Sequence, residues 1–233
     1  VKPTVAVVTA TTNRATLKQA MKSVDEQTYP CTHYVIIDGV RGNDTMSYDD
    51  PPNRHILRLP KATGKNGIMN GAICAMAPYI CTEDYICYLD DDNWFEPNHV
   101  ESLMDVIGNN AYAYSLRNLI WPTNKFYARD DGESLGHYGD LVDVNCYMFK
   151  REVCAGIAPL WYKTTGDLMI GDRYVWEALR QNNTPWAASG KYTVNYRISA
   201  NKDMRGFFFL KNIQKRAQYP DGFPWRAETC LST

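Results

Sequence analysis

Apolar positions in the first hundred residues follow two alternating patterns. Val5-Ala6-Val7-Val8-Thr9-Ala10 is β-branched and almost continuously apolar, as a strand covered on both faces would be. Leu17, Ala20, Met21 and Val24 then recur at helical spacing, with Thr12 or Asn13 as the expected cap. Residues 34–37 and 55–59 repeat the strand pattern, and 85–89 form a fourth strand. Between them 68–80 reads as a helix, whose Gly71, Ala72, Ala75 and Ala77 permit close packing on a sheet. Another helix is expected from about Pro97 to Ile107, with proline in a first-turn position where it is tolerated. This order predicts an α/β fold: a mostly parallel, doubly wound sheet with right-handed crossovers.

The second half is less regular. Short strands are expected at 111–115, 118–121 and 125–127, then a polar, glycine-rich loop over 128–139. A strand at 142–149, a helix at 172–181, a strand at 192–197 and a closing helix at 207–218 complete the reading. No repeat, low-complexity tract or linker interrupts the 233 residues, so one domain over 1–233 is expected, about 1–104 forming its first half and 105–233 its second.

Composition removes several classes of function. The chain has 25 Lys+Arg against 26 Asp+Glu, a formal net charge of -1, which argues against a nucleic-acid partner. No apolar run approaches the ~18–20 residues of a membrane-spanning helix, and the start has no secretory layout. The seven cysteines are odd in number and without C-x-x-C spacing, so a reduced, cytoplasmic setting is the expectation. With four histidines and no H-E-x-x-H, a Cys/His zinc site is not expected.

Ligands of such sheets sit at the carboxyl ends of the strands, where this chain gathers polar residues: 9–14, Asp38-Gly39 and 90–93. The sharpest cluster is Asp90-Asp91-Asp92-Asn93. Three adjacent carboxylates repel one another at the end of a buried strand unless a cation compensates. Alternate side chains share a side, so Asp90 and Asp92 can face one ligand together. Hard carboxylate oxygens suit Mg²⁺ or Mn²⁺. A solvated acidic turn ahead of the next helix is the plain alternative.

TVAVVTATTNR, YVIIDG, ATGKNGIMNGAICAM and YLDDDNWFEPNHVESLM together resemble the GT-A (Rossmann-like) nucleotide-sugar glycosyltransferases, particularly the inverting family-2 type. The first segment lacks that family's proline and aromatic, and the second strand ends in Asp38-Gly39-Val40 where D-D-G-S is commoner. The resemblance implies a nucleoside diphosphate sugar donor, with Thr9, Thr11, Arg14 and Asp38 around base and ribose. It places Lys65, Asn66 and Asn70 beside the nucleotide, Asp90 and Asp91 at the sugar nucleotide, and Asp92 with Asp90 at the metal. It also implies a general base early in a helix of the second half. Asp172 matches that position, although Gly171 precedes it where an acid is usual. The alternative is that Asp172 simply caps the helix, and Asp167 is the reserve candidate.

On the acceptor side stand Asp143, Trp121 and Trp161, for which a solvated strand position and ordinary core packing are the alternatives. The acceptor would be a glycan, glycolipid or other hydroxyl compound. Residues 204–220 carry four basic and no acidic side chains beside Phe207-Phe208-Phe209-Leu210. This helix could complete the core, rest on an anionic membrane surface, or bring Arg205 or Lys202 over the diphosphate. Gly132-Glu133-Ser134-Leu135-Gly136 matches the G-x-S-x-G of serine hydrolases but lacks the strand before and helix after that the motif needs. A nucleotidyltransferase and a non-catalytic carbohydrate-binding module are the remaining rivals.

Overall fold

The β-branched run at the start becomes β1 (Val5–Thr11), and the helical spacing after it becomes α1 (Leu17–Asp25). The chain continues through β2 (Thr32–Ile37), β3 (Arg54–Arg58), α2 (Gly71–Ile80), β4 (Tyr85–Tyr88), β5 (Trp94–Phe95) and α3 (His99–Ile107). Its second half is β6 (Tyr112–Ile120), β7 (Phe126–Arg129), β8 (Tyr147–Lys150), α4 (Arg151–Trp161), β9 (Thr164–Thr165), β10 (Leu168–Met169), α5 (Gly171–Gln181), β11 (Trp186–Arg197) and α6 (Lys202–Gln218). These elements belong to a computed structural model that describes residues 2–39, 51–64, 69–165, 168–169, 171–198 and 202–226.

Eight strands follow the order β3-β2-β1-β4-β8-β6-β11-β5, with β7 paired to β6 as the ninth, so one sheet runs through both halves. β3, β2, β1 and β4 are mutually parallel; β8 is antiparallel to β4 and β6, and β11 runs parallel to β6. The sheet is therefore mostly parallel, as expected, with β5, β7 and β8 reversed. The order turns back on itself at β1: the chain moves outward to β2 and β3, then returns through α2 to β4. From β1 the sheet extends to β2 on one side and β4 on the other, which leaves a crevice beyond the carboxyl ends of β1 and β4.

Several expectations change in detail. Thr12 and Asn13 do not cap α1; Thr16 holds the cap position without a side-chain bond, and Asn13 adopts a φ of 65° in the turn after β1. The strands expected at 111–115 and 118–121 are one, β6. Its interruption in the pattern, Arg117, is buried at 2% exposure and neutralised by three carboxylates. Asp143 is not in a strand: its carboxylate accepts the Asn145 N–H and starts a short 3-10 turn, Val144–Cys146, ahead of β8. α4 was not expected because Gly156 and Pro159 interrupt the helical signal. It packs on the small-residue helix α2.

The G-x-S-x-G segment is a buried loop. The Ser134 hydroxyl accepts the Asp143 N–H at 2.8 Å, and His137 stacks on Trp186 with centroids 4.0 Å apart, so no nucleophile and base meet there. Gly136 has a φ of 57°, and a Cβ there would lie 2.3 Å from the Tyr114 ring. The cysteines among the described residues are unpaired. Among those residues no helix is long and apolar enough to cross a membrane.

Candidate active site

Where β1 and β4 end, the backbone leaves the sheet and its side chains frame a cleft of about 540 Å³. Thr11, Arg14, Asp38, Asn70, Asp90, Asp91, Asp92, Asp143, Trp161 and Asp172 all line it. The topology thus joins residues from both halves of the chain, Thr11 and Asp172 among them.

The three aspartates have different surroundings. Asp91 is buried, accepts the Thr11 hydroxyl at 2.6 Å and pairs with Arg14 Nε at 3.2 Å, so its carboxylate ties the ends of β1 and β4 together rather than facing a ligand unpaired. Asp92 is half-buried and holds Arg14 Nη1 at 2.6 Å. Asp90 accepts from Asn70 Nδ2 at 2.7 Å and Asn145 Nδ2 at 2.9 Å. Burial, then Asp143, Asp92 and Asp91, push the Asp90 carboxyl up to about 7, with the Asn145 hydrogen bond opposing them. Asp38 serves as a loop clamp: it accepts from the Thr63 N–H at 2.7 Å, the Thr63 hydroxyl at 2.9 Å and the Gly64 N–H at 3.0 Å.

Thr9 does not reach the cleft. It is fully buried and bonds to His33 Nε2 at 2.9 Å inside the sheet. Trp121 also lies elsewhere, against Tyr127 with centroids 4.5 Å apart and beneath Arg205 at 5.0 Å. That stacking draws Arg205 to Trp121. Trp161 is in the cleft wall, buried, edge-on to Tyr88, and its indole N–H has no hydrogen-bond partner among the described residues. Lys65, Asn66 and Asp167 lie outside the described residues.

Asp172 sits in the first turn of α5, where its carboxylate accepts the Arg173 N–H at 2.9 Å. Burial and then Asp143 push its carboxyl up to about 6; the Arg173 N–H and the charges of Arg173 and Arg117 pull the other way. A carboxylate shifted toward neutrality in a cleft is suited to taking a proton.

Sequence reasoning missed three residues. Arg197, at the carboxyl end of β11, lines the cleft and donates from Nε to the Asp92 carbonyl at 2.9 Å. Asn145 bridges Asp90 to Asp143, donating to the latter at 2.7 Å. Arg117 gives Nε to Asp130 and Nη2 to Glu133, each at 2.7 Å, and Nη1 to Asp143; Glu133 in turn accepts Arg173 at 3.2 Å. A cation at a strand end was a legible signal for Arg197. A charged residue within an apolar strand was the one for Arg117.

No group of three or more His, Cys, Asp and Glu side chains among the described residues is arranged to hold an ion. The donor set that is present, Asp90 and Asp92 on the cleft wall, consists of hard oxygens, and the Asp90 carboxyl is raised first by burial and then by Asp143, with Asp92 adding to it. Two carboxylates fit Mg²⁺ or Mn²⁺ where water and substrate phosphate supply the other positions, not a closed protein cage.

Known proteins agree with this architecture. The chain resembles a crystal structure of S. aureus TarS residues 1–349 at a TM-score of 0.59, with 10% identity, covering 96% of this chain and 75% of that one. A longer S. aureus TarS structure matches at 0.55 with 11% identity, over 91% and 41%. An uncharacterized protein of Haemophilus influenzae is 38% identical over 61 residues, 26% of this chain and 38% of its own length. The sequence profile of Glycosyl transferase family 2 matches residues 6–138, more than half of the chain, which therefore belongs to that family of glycosyltransferases.

Proposed function

We propose that the protein transfers a sugar from a nucleoside diphosphate sugar, of the UDP or GDP type, to an acceptor hydroxyl with inversion, assisted by Mg²⁺ or Mn²⁺. The observation that carries this reading is the meeting, in one cleft at the β1/β4 switch point, of the Asp90–Asp92 wall with a carboxylate from the other half, Asp172. The bound ion would be held by Asp92 and Asp90, and would supply Lewis-acid stabilisation of the leaving diphosphate.

The remaining work falls to this chain's own side chains. Arg14 and Arg197 provide positive charge at the same wall, where a diphosphate needs it. Asp38 holds the 62–64 segment against the nucleotide side, and Asn70 fixes Asp90. Asp172 takes the acceptor proton, and a single carboxylate acting as base in one displacement gives inversion. The acceptor is a glycan, glycolipid or other hydroxyl compound, received on the side of Asp143, Trp161 and Asp172.

Calorimetric titration with UDP and GDP, with and without Mn²⁺, tests the reading, followed by a panel of nucleotide sugars and anomeric assignment of the product by NMR. Metal-dependent nucleotide binding and an inverted product are expected. Sugar binding indifferent to EDTA, with no nucleotide bound, would instead identify a carbohydrate-binding module.

A further inference from the structure

α6 completes the core with only part of its surface. Phe208 is buried against Tyr196 and, at 5.4 Å, beneath the Arg117 guanidinium; Met204 and Phe207 join the same cluster. The opposite stripe faces outward: Gly206, Phe209, Leu210, Ile213, Arg216 and Ala217 are all exposed. Phe209 is 56% exposed, Leu210 58% and Ile213 49%, three of the large apolar side chains that the described residues leave in solvent. Their i, i+1, i+4 spacing makes one continuous patch. Isolated exposed apolar residues are ordinary, but a patch on one helix face marks a contact surface.

The charge on α6 is mostly of one sign, Asp203 in its first turn being the one acid within Lys202–Gln218. Residues 204–220 contain Arg205, Lys211, Lys215 and Arg216 and no acid. Lys215 donates to the Tyr138 carbonyl at 2.5 Å and pairs with no acid among the described residues, and Arg216 is exposed. Lys211 is paired with Asp140.

We infer that the outer face of α6 docks on an anionic lipid surface. A second copy is the poorer occupant: a two-fold contact through this stripe would bring like charges together. Three partly exposed side chains also fall far short of the roughly 800 Å² per partner of a stable interface. A negatively charged bilayer matches both features, accepting the apolar side chains at the acyl boundary and the cations at the headgroups. Phe208 stands between the stripe and Tyr196, which lines the cleft, so docking here brings the cleft wall close to the membrane. An acceptor hydroxyl on a lipid-linked glycan would then be presented at the site. The docking does not depend on the chemistry proposed above, and its test involves no turnover.

The test is sedimentation of the full chain with vesicles of phosphatidylglycerol and phosphatidylcholine, against phosphatidylcholine alone, at 50 and 500 mM salt. Binding to the anionic vesicles, weakened by salt, is expected. The F209S/L210S/I213S variant should bind at least about tenfold less while keeping its thermal midpoint, since it removes only exposed side chains. R216E with an unchanged fold, binding more weakly at low salt alone, provides a second arm. Failure of the wild type to bind anionic vesicles, or equal binding by the triple variant, overturns the inference. So does a concentration-dependent dimer by light scattering that the triple variant abolishes.

Discussion

In the proposed reaction Asp172 must be charged to accept a proton, yet burial and Asp143 favour its neutral form, with its carboxyl pushed up to about 6. The catalytic rate should therefore fall as pH drops below about 6, where the base becomes protonated. D172N should leave metal-dependent nucleotide binding in place and lower kcat by more than ~100-fold; single-turnover assays beside calorimetry separate the two effects. D92N should do the reverse, abolishing metal-dependent nucleotide binding. Arg117 is a residue of another kind. It touches no cleft space, yet it holds three carboxylates, and Asp143 connects it through Asn145 to Asp90. R117M would leave those carboxylates buried without their cation, a loss of about 3–5 kcal/mol that urea unfolding should detect.

Elements act here by fixing which residues meet. The loop between β7 and β8 places Asp130, Glu133 and Asp143 around Arg117 and Ser134 against the Asp143 N–H, and Gly136 lets it pass tightly over β6. An alanine at position 136 would need both the left-handed conformation and space occupied by the Tyr114 ring. Its cost should be about 2–4 kcal/mol, read as a lowered urea midpoint at unchanged m-value. α4 and α5 carry Trp161 and Asp172 to the cleft that β1 and β4 open, so one wall is built by helices whereas the other is built by strand ends.

For the whole molecule, Asp90, Asp91 and Asp172 all have carboxyls raised first by burial. The sign follows from proton counts. Between the ordinary carboxylate range and about 6–7 the folded chain binds more protons than the unfolded one, so metal-free stability decreases as pH rises through that window. Thermal midpoints measured in EDTA from pH 4 to pH 8 should show this contribution as a decline. Mn²⁺ with UDP or GDP should raise the midpoint at pH 8, by about 2.7 kcal/mol of stability when nucleotide is at 100 times its Kd.

The strand and helix order of the first half was legible because each element there has an unbroken period, and a buried parallel strand such as β1 can hardly be written otherwise. The polar strand ends announced a site, and Asp90, Asp92 and Asp172 do share a cleft. What local pattern could not supply was partnership between distant residues. Arg117 divided β6 in the sequence because a lone cation opposes burial; Asp130, Glu133 and Asp143 remove that objection only once folded together. Thr9 and Thr11 are two apart on one strand and look alike as letters, yet Thr9 meets His33 while Thr11 meets Asp91. Sequence alone determined the sheet's order of construction and the acidic corner, since both are written in contiguous residues. Tertiary structure decided which partner each cleft aspartate meets, asparagine, arginine or threonine, and which face of α6 remains bare, because those depend on contacts between segments far apart in the chain.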